Sequence, residues 1–144
     1  MDFFSSMEVS ASALTAERTR MNLISSNLAN ANATRTPEGG PYKRKDAVFA
    51  AQPAETFDSA LDRASGQAPQ RVAVTQIVED QNPPRMQYDP THPDADARGY
   101  VALPNVNVVE EMADMITATR TYEANVTAVQ AAKNMALKTL DIGR

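Results

Sequence analysis

The clearest hydrophobic pattern in the sequence lies in its last third. Residues there recur at alternating spacings of four and three, a heptad pattern typical of a coiled-coil helix. The positions are Val108, Met112, Met115, Thr119, Tyr122, Val126, Val129, Lys133, Ala136 and Leu140. Thr119 and Lys133 are polar exceptions. Asn107 precedes the pattern and can cap a helix. The pattern predicts a helix from about Val108 to Leu140.

A weaker stripe of the same period marks the N-terminal segment. Ser5 and Glu8 have the spacing of a capping box. Large apolar residues recur every seven positions at Met7, Leu14, Met21 and Leu28. Ile24 continues this stripe from an adjacent position on the helix. The pattern predicts a helix from about Ser5 to Ala31, with a narrow apolar seam.

Proline divides the chain into three segments. All nine prolines and four of the five glycines lie between residues 37 and 104. Proline breaks helices and glycine weakens them. We therefore expect an N-terminal helix in residues 1–34, a Pro/Gly-rich β and loop unit in 35–104, and a C-terminal helix in 105–144. The predicted fold is mainly α with a small β-rich middle, in which the two helices pack as an α-helical coiled-coil pair and form one discontinuous domain.

Short runs rich in β-branched residues predict strands in the middle segment. They cover residues 46–50, 71–78, 86–88 and 100–103. Residues 53–69 are rich in Ala, Ser, Gln and Asp and are expected to form a loop or a short helix. The strands are too short and too few for a large core, so we expect a small, twisted β unit.

The two predicted helices are too long to be covered by the rest of the chain. Each would measure about 40–50 Å at 1.5 Å per residue. Two interpretations stay open at this point. The helices can form an intramolecular hairpin with an ordinary Met-rich core, or they can share their apolar stripes with neighbouring molecules. Polar residues within the stripes favour the second interpretation, because several meeting helices can supply partners for them.

Composition and charge exclude several classes of protein. The chain has 144 residues, of which 42% are hydrophobic and only 6% aromatic, and its net charge is −4. No segment has the basic excess of a nucleic-acid-binding protein. The absence of cysteine excludes disulfides and thiolate sites. No signal peptide of the cleavable type and no apolar run of about 18 residues is present, which predicts no membrane insertion. Taken alone, this indicates a cytoplasmic protein unless export bypasses cleavable signals.

The densest polar cluster, residues 88–100, is a poor candidate for catalysis or metal binding. Asp94, Asp96 and Gly99 match the first, third and sixth positions of a calcium loop, but Arg98 and Asn105 occupy the fifth and twelfth. The single histidine lies in this cluster without a second one nearby. Asp and Pro at this density also form turns. We predict a structural loop, no catalytic residues, no metal and no cofactor.

Four asparagines are concentrated near the end of the first helix, and two interpretations of them stay open. They can cap the helix, or their amides can bond across packed subunits. They are Asn22, Asn27, Asn30 and Asn32.

Several motifs resemble a known family. The segment 24–34, which reads ISSNLANANAT, and the following GGPYK at 39–43 resemble the N-terminal signature of the flagellar rod, hook and filament-axis protein superfamily. Motifs in the second half are similar to those of proximal rod proteins. They lie at residues 88–90, 92–96, 99–101, 104–107, 110–112, 120–125, 136–137 and 141–144. Residues 50–70 have none of this resemblance.

The resemblance implies a structural subunit of the flagellar basal-body proximal rod, not an enzyme. It implies export by the flagellar type III apparatus without a cleavable signal peptide, and a place in the periplasmic rod. It implies that the partners are copies of the chain, other rod proteins and the hook–basal body junction protein. The terminal helices would form an axial tube that lines an export channel. The mechanism we expect is coupled folding and assembly, in which the termini are disordered or loosely helical in the monomer and order on docking.

The predicted assembly interface combines the apolar stripes with two asparagines. A sibling proximal rod protein, a soluble coiled-coil adaptor and a metal-dependent enzyme that uses residues 89–96 remain as alternatives. The interface residues are Met7, Leu14, Met21, Ile24, Asn27, Leu28, Asn30, Val108, Met112, Met115, Tyr122, Val126, Val129 and Leu140.

Overall fold

The structure, a computed structural model, describes residues 3–53 and 70–142 of the chain. Within these residues it has two long helices and four strands, which confirms the prediction of a mainly helical protein with a small β middle. The elements are α1 (Phe3–Ala29), β1 (Lys45–Pro53), β2 (Gln70–Glu79), β3 (Arg85–Tyr88), β4 (Tyr100–Leu103) and α2 (Val108–Ile142). The loop or short helix expected at 53–69 lies outside the described residues, apart from Pro53. The division into three domains stays a prediction.

The helix ends differ slightly from those predicted. Ser5, predicted as the N-terminal cap, lies inside the first turn of α1. At the other end of α1, the Asn30 side chain donates a 2.9 Å hydrogen bond to the Ser26 carbonyl. The capping interpretation therefore holds for Asn30. Asn107 caps α2 as predicted, because its side-chain oxygen accepts a 3.1 Å hydrogen bond from the Val109 amide.

The two helices pack against each other in opposite directions. Asn27, near the end of α1, bonds to Glu111, near the start of α2. Further along the pair, the Thr119 hydroxyl donates to the Met21 sulfur at 3.8 Å. Because α2 has 35 residues and α1 has 27, the C-terminal turns of α2 extend beyond the start of α1. Supercoiling of the pair stays a prediction.

The predicted heptad of α2 consists of two rows of residues. One row lies toward α1, but the other is replaced there by the residues one position earlier in the sequence. One predicted row is largely half-buried, at Met115, Tyr122, Val129 and Ala136, but its first residue, Val108, is exposed. The second predicted row is wrong within the subunit, because Met112, Thr119, Lys133 and Leu140 are exposed and Val126 alone is half-buried. The row that lies toward α1 instead is Glu111, Ala118, Asn125 and Ala132.

Small side chains explain this displacement. Ala118 has no exposed surface, and Ala16 on α1 is also buried. A short side chain at the contact lets two helix backbones approach closely, so a row of alanines and polar residues can occupy a seam. The polar residues Thr119 and Lys133 consequently need no buried partner.

Strands β1 and β2 form an antiparallel hairpin that packs on α1. The pairing runs from Lys45 opposite Glu79 to Pro53 opposite Gln70, with an irregularity after Val48. Thr75 is the extra residue there, and its hydroxyl donates to the Val48 carbonyl at 3.2 Å. The hairpin is joined to α1 where the Val72 amide donates to the hydroxyl of Ser12 at 3.1 Å. One face of an otherwise marginal two-stranded sheet is thereby covered.

Strands β3 and β4 form a second antiparallel pair, connected by the loop of residues 89–99. Gly99 lies in this loop with a φ of 80°. A β-carbon at Gly99 would be 3.0 Å from a ring carbon of Tyr88 and 3.2 Å from the β-carbon of Pro90. Both the backbone conformation and the packing therefore require glycine here.

Replacing Gly99 with alanine is expected to destabilise the subunit by about 2–3 kcal/mol, from left-handed strain and overpacking together. Gly40→Ala is the matched control, because Gly40 also has a positive φ but has no atom near the added carbon. It isolates the strain, so its expected cost is about 1–2 kcal/mol. Thermal unfolding of both purified variants measures the difference. Equal midpoints would contradict the packing argument.

Candidate assembly interface

A buried polar junction lies where the two helices meet the first strand, and Asn27 is its centre. Asn27 has only 1% of its surface exposed. Its amide nitrogen donates to the Lys45 carbonyl at 2.9 Å and to a carboxylate oxygen of Glu111 at 3.0 Å. Its oxygen accepts from the Tyr42 hydroxyl and from the Lys45 amide, each at 2.9 Å. The side chain thus has the full set of hydrogen bonds that an amide can make.

Glu111 extends the junction to a charged network. It is also 1% exposed, and its second carboxylate oxygen accepts from the guanidinium of Arg44. Partial burial lowers the pKa of Arg44, but the hydrogen bond and charge of Glu111, together with Asp46, raise it overall. Asp114 lies 3.8 Å from Arg44 and 3.7 Å from Arg20. A buried carboxylate is therefore paired and hydrogen-bonded, as burial of a charge requires.

A glycine turn brings Tyr42 and Arg44 to the junction. Gly39 and Gly40 both have positive φ. The turn is closed by hydrogen bonds from the Thr36 amide to the Gly40 carbonyl and from the Gly39 amide to the Thr36 carbonyl. The chain then returns along the end of α1, where the Tyr42 amide donates to the Ala33 carbonyl at 3.0 Å. The segment 24–34 and the GGPYK turn, separate in sequence, therefore form one structural unit.

The junction connects four segments of the chain. It joins the end of α1, the glycine turn, the start of β1 and the start of α2, so these four segments cannot move independently without losing buried hydrogen bonds. For Asn27 both capping and bonding across subunits were open, and the four side-chain hydrogen bonds described here are made within the chain. The junction provides rigidity to the helix pair.

The polar loop between β3 and β4 uses its side chains to hold its own shape. Asp89 accepts from the Thr91 hydroxyl at 2.7 Å and the Thr91 amide at 3.1 Å, which lowers the pKa of Asp89. The ring nitrogen Nδ1 of His92 accepts from the Asp94 amide at 3.1 Å. Asp94 in turn accepts from the Thr34 hydroxyl at 2.8 Å. These bonds support the prediction of a structural loop, and the bond to Thr34 places the loop beside the end of α1.

The predicted interface residues fall into three groups by burial. Ile24 and Asn27 are buried inside the subunit. Val108, Met112 and Leu140 are exposed. The remaining residues are half-buried and lie along the helix pair or at the end of α1, and they are Met7, Leu14, Met21, Leu28, Asn30, Met115, Tyr122, Val126 and Val129.

Exposed apolar residues on α2 that the heptad missed enlarge the available surface. The α2 start patch consists of Val109, Met112 and Ile116, and the α2 end patch consists of Met135, Leu137, Leu140 and Ile142. Val109 is 75% exposed and Ile142 86%. Only Met112 and Leu140 belong to the predicted heptad; the rest are hydrophobic residues outside its register. Their hydrophobicity was visible in the sequence, but nothing local indicated that the chain leaves them uncovered.

Among residues 3–53 and 70–142, neither helix combines the length and hydropathy needed to cross a membrane. In the same residues, no group of three or more histidine or acidic side chains is arranged to hold a metal ion.

Two known protein families match this chain, one at each end. Residues 7–35, which include all but the first turn of α1 and the residues that follow it, match the family described as "Flagella basal body rod protein". Residues 97–142, which include β4 and α2, match "Flagellar basal body rod FlgEFG protein C-terminal". Both matches define the class of flagellar rod proteins, and they cover most of the helix pair, including Asn27 and Glu111 of the junction.

Individual relatives narrow the class. The chain is 48% identical to the flagellar basal-body rod protein FlgC of Bacillus subtilis, with all of both chains covered. It is 45% identical to FlgC of Borreliella burgdorferi over 94% of this chain and 93% of the relative. It is 42% identical to FlgC of Salmonella typhimurium over 95% of each. The chain belongs to the FlgC family of flagellar basal-body rod proteins, which are structural components of the rod.

Proposed function

We propose that the chain self-assembles through α1 and α2, with other rod subunits, into the torque-transmitting axial tube of the basal-body rod. The observation that carries this proposal is the exposed apolar surface of α2. Seven large apolar residues of the two patches are at least half exposed. Burial of apolar surface stabilises by about 25 cal/mol per Å², so uncovered patches of this kind favour association. Neighbouring helices would cover them.

The polar junction supports the mechanical part of the proposal. A tube transmits torque only if its subunits do not yield internally. The junction clamps the helix pair to the β unit through bonds that are buried and shared among four segments. Each subunit therefore acts as one stiff body, and torque passes through the contacts between subunits.

The family supports the remaining parts of the proposal. Subunits are exported by the flagellar type III apparatus without a cleavable signal peptide and enter the rod in the periplasm. Their partners are copies of the chain, other rod proteins and the hook–basal body junction protein. The helices supercoil and line the central export channel, and they order fully when they dock. Membrane insertion, nucleic-acid binding, catalysis and cofactors have no place in this function.

Replacing Ile116 with aspartate tests the proposal. Ile116 is 55% exposed in the α2 start patch, so the charge is expected to leave the thermal midpoint of the purified chain within about 2 °C of the original. In a subunit interface the same charge is buried and unpaired, and motility and rod assembly are expected to fall at least tenfold. The measurements are swimming in soft agar and counts of intact basal bodies by electron microscopy.

Ile116→Leu is the matched control, because it keeps the apolar patch and changes only the side-chain shape. It is expected to support normal motility. Full motility of the aspartate variant, with normal amounts of the protein in isolated rods, would contradict the proposed interface.

A further inference from the structure

The methionine sulfur atoms differ in how far they are open to solvent. The chain has seven methionines and no cysteine, so its sulfur chemistry is that of thioethers alone. Of the six methionines in the described residues, three are half-buried along the helix pair, namely Met7, Met21 and Met115. The other three are 54%, 55% and 63% exposed, in the order Met86, Met112 and Met135. The exposed thioethers are the ones that an oxidant reaches in the folded subunit.

Met112 lies at the centre of the α2 start patch. The neighbours of a residue on a helix surface are those three and four positions away. For Met112 all four are apolar, since they are Val108, Val109, Met115 and Ile116. Val109 and Ile116 are themselves 75% and 55% exposed. A polar group at Met112 would therefore stand in the middle of an uncovered apolar surface.

The other two exposed methionines have different surroundings. Met86 lies in β3 opposite Ala102, outside both α2 patches. Met135 belongs to the α2 end patch, but its helical neighbours are small or polar, namely Ala131, Ala132, Lys138 and Thr139. Of the three exposed sulfurs, the one at Met112 thus has the most apolar helical surroundings, and a change in its polarity has the largest effect on α2.

Peroxide changes the polarity of a thioether in one step. Hydrogen peroxide transfers one oxygen atom to the sulfur, which gives up an electron pair. The O–O bond breaks, and the second oxygen leaves as water with both protons of the peroxide. The product, methionine sulfoxide, has a polar oxygen that accepts hydrogen bonds. Solvent satisfies this oxygen on a free subunit, whereas an apolar interface would bury it without a donor.

We propose that the sulfur of Met112 is an oxidation site at which peroxide controls entry of the subunit into the rod. The free subunit reacts because this sulfur is exposed. The oxidised subunit docks less well because the centre of its α2 start patch has become polar. Neighbouring helices would cover the same sulfur in the rod, so the reaction acts on unassembled chains. This inference rests on the proposed function and adds a chemical control to the same surface.

Peroxide treatment of the purified full chain tests the site itself. After a short exposure, mass spectrometry of its peptides measures the sulfoxide at each methionine. Met112 is expected to react about fivefold faster than Met21, because the Met21 sulfur is half-buried and accepts a hydrogen bond from the Thr119 hydroxyl. Met86 is expected to react at the rate of Met112. Equal rates at Met112 and Met21 would overturn Met112 as a preferred site.

Met112→Gln tests the consequence for assembly, because glutamine has a similar length and puts a polar amide in place of the thioether. The variant replaces the original chain in cells, and the yield of isolated rods is expected to fall about fivefold. Circular dichroism of the purified variant is expected to stay unchanged, since Met112 is exposed. Met112→Leu keeps the patch apolar and has no sulfur. It is expected to retain most of the yield and to lose none of it when the cells are treated with peroxide.

Met86→Gln is the matched control. Met86 is as exposed as Met112 but lies outside both α2 patches, so its replacement is expected to leave the yield of rods unchanged. A loss as large as that of Met112→Gln would overturn the assignment to Met112. In peroxide-treated cells with the original chain, the sulfoxide fraction at Met112 is expected to be about fivefold lower in rods than in unassembled chains. Equal fractions would contradict the control of entry.

The variants separate this inference from the proposed function. Loss of rods by Ile116→Asp together with a normal yield for Met112→Gln would overturn the oxidation control and leave the proposed interface intact. Normal yields for both variants would overturn the interface and the oxidation control together. A loss of rods by both, with a normal yield for Met86→Gln, supports both proposals.

Discussion

Replacing Glu111 with alanine is expected to lower the free energy of unfolding by about 2–4 kcal/mol. The substitution removes the acceptor of Arg44 and one acceptor of Asn27, and removal of one partner leaves the other donors buried without full compensation. Arg44 retains contact with Asp46 and partial solvent exposure, so the cost falls below that of a fully enclosed ion pair. Urea unfolding of the purified chain, followed by circular dichroism, measures it.

Glu110→Ala is the matched control. Glu110 is adjacent in the same helical turn but exposed, so its loss is expected to change stability by no more than about 0.5 kcal/mol. Glu111→Gln separates charge from shape, because the amide keeps an oxygen for Asn27 but loses the charge that attracts Arg44. An intermediate cost is expected. Equal stability of the Glu110 and Glu111 alanine variants would show that the junction does not hold the subunit together.

A double-mutant cycle measures how far the junction acts as one unit. Asn27→Ala removes four hydrogen bonds at once, so its cost overlaps with that of Glu111→Ala. The double variant is expected to cost less than the sum of the two single variants by about 0.5–3 kcal/mol. Strict additivity would indicate that the two residues stabilise separate contacts.

The overall fold could be predicted because its signals are local. Proline and glycine are absent from both long helical segments up to residue 142, and β-branched runs mark the strands. The cap at Asn107 is also local, since it needs only the two residues that follow it. Such features depend on neighbours in sequence, and sequence patterns report them well.

The junction could be predicted only in part. The segment around Asn27 and the GGPYK turn were recognisable as a unit, but the partner of Asn27 was not. Glu111 is 84 residues away in the sequence. An acidic residue in the first turn of a helix has a sufficient local reason to be there, because it complements the helix dipole. Nothing in the sequence distinguished buried Glu111 from exposed Glu110.

The contact face of α2 shows a second limit of prediction from sequence. Pattern reasoning gives weight to large apolar residues, so it selected the row of Met112 and Leu140. The structure uses Ala118 and Ala132 instead, because close approach of the helices favours small residues and leaves the large ones outside. In an alanine-rich helix, an alanine that fills a seam and one that faces solvent look alike. Only the partner helix distinguishes them.

Ala118→Leu is expected to destabilise the subunit by about 2–3 kcal/mol and to abolish motility. Ala118 has no exposed surface where α2 meets α1, so a larger side chain must separate the helices or adopt a strained rotamer. Separation of the helices also strains the junction, since Glu111 is two turns earlier in the same row. Ala128→Leu is the matched control, because Ala128 is exposed on the same helix and the helix propensities of the two residues are similar.

Thr119→Leu makes the test decisive between the two registers of α2. If the predicted heptad described the seam within the subunit, Thr119 would be buried against α1, leucine there would add buried apolar surface, and stability would rise. In the structure Thr119 touches Met21 of α1 only at the edge of the seam and stays exposed, so Thr119→Leu is expected to change stability by less than about 0.5 kcal/mol. The thermal midpoints of Ala118→Leu, Ala128→Leu and Thr119→Leu are then measured. The two registers predict opposite orders of stability for Ala118→Leu and Thr119→Leu. A stabilising Thr119→Leu with a tolerated Ala118→Leu would overturn the alanine seam and, with it, the placement of the α2 patches on the outer surface.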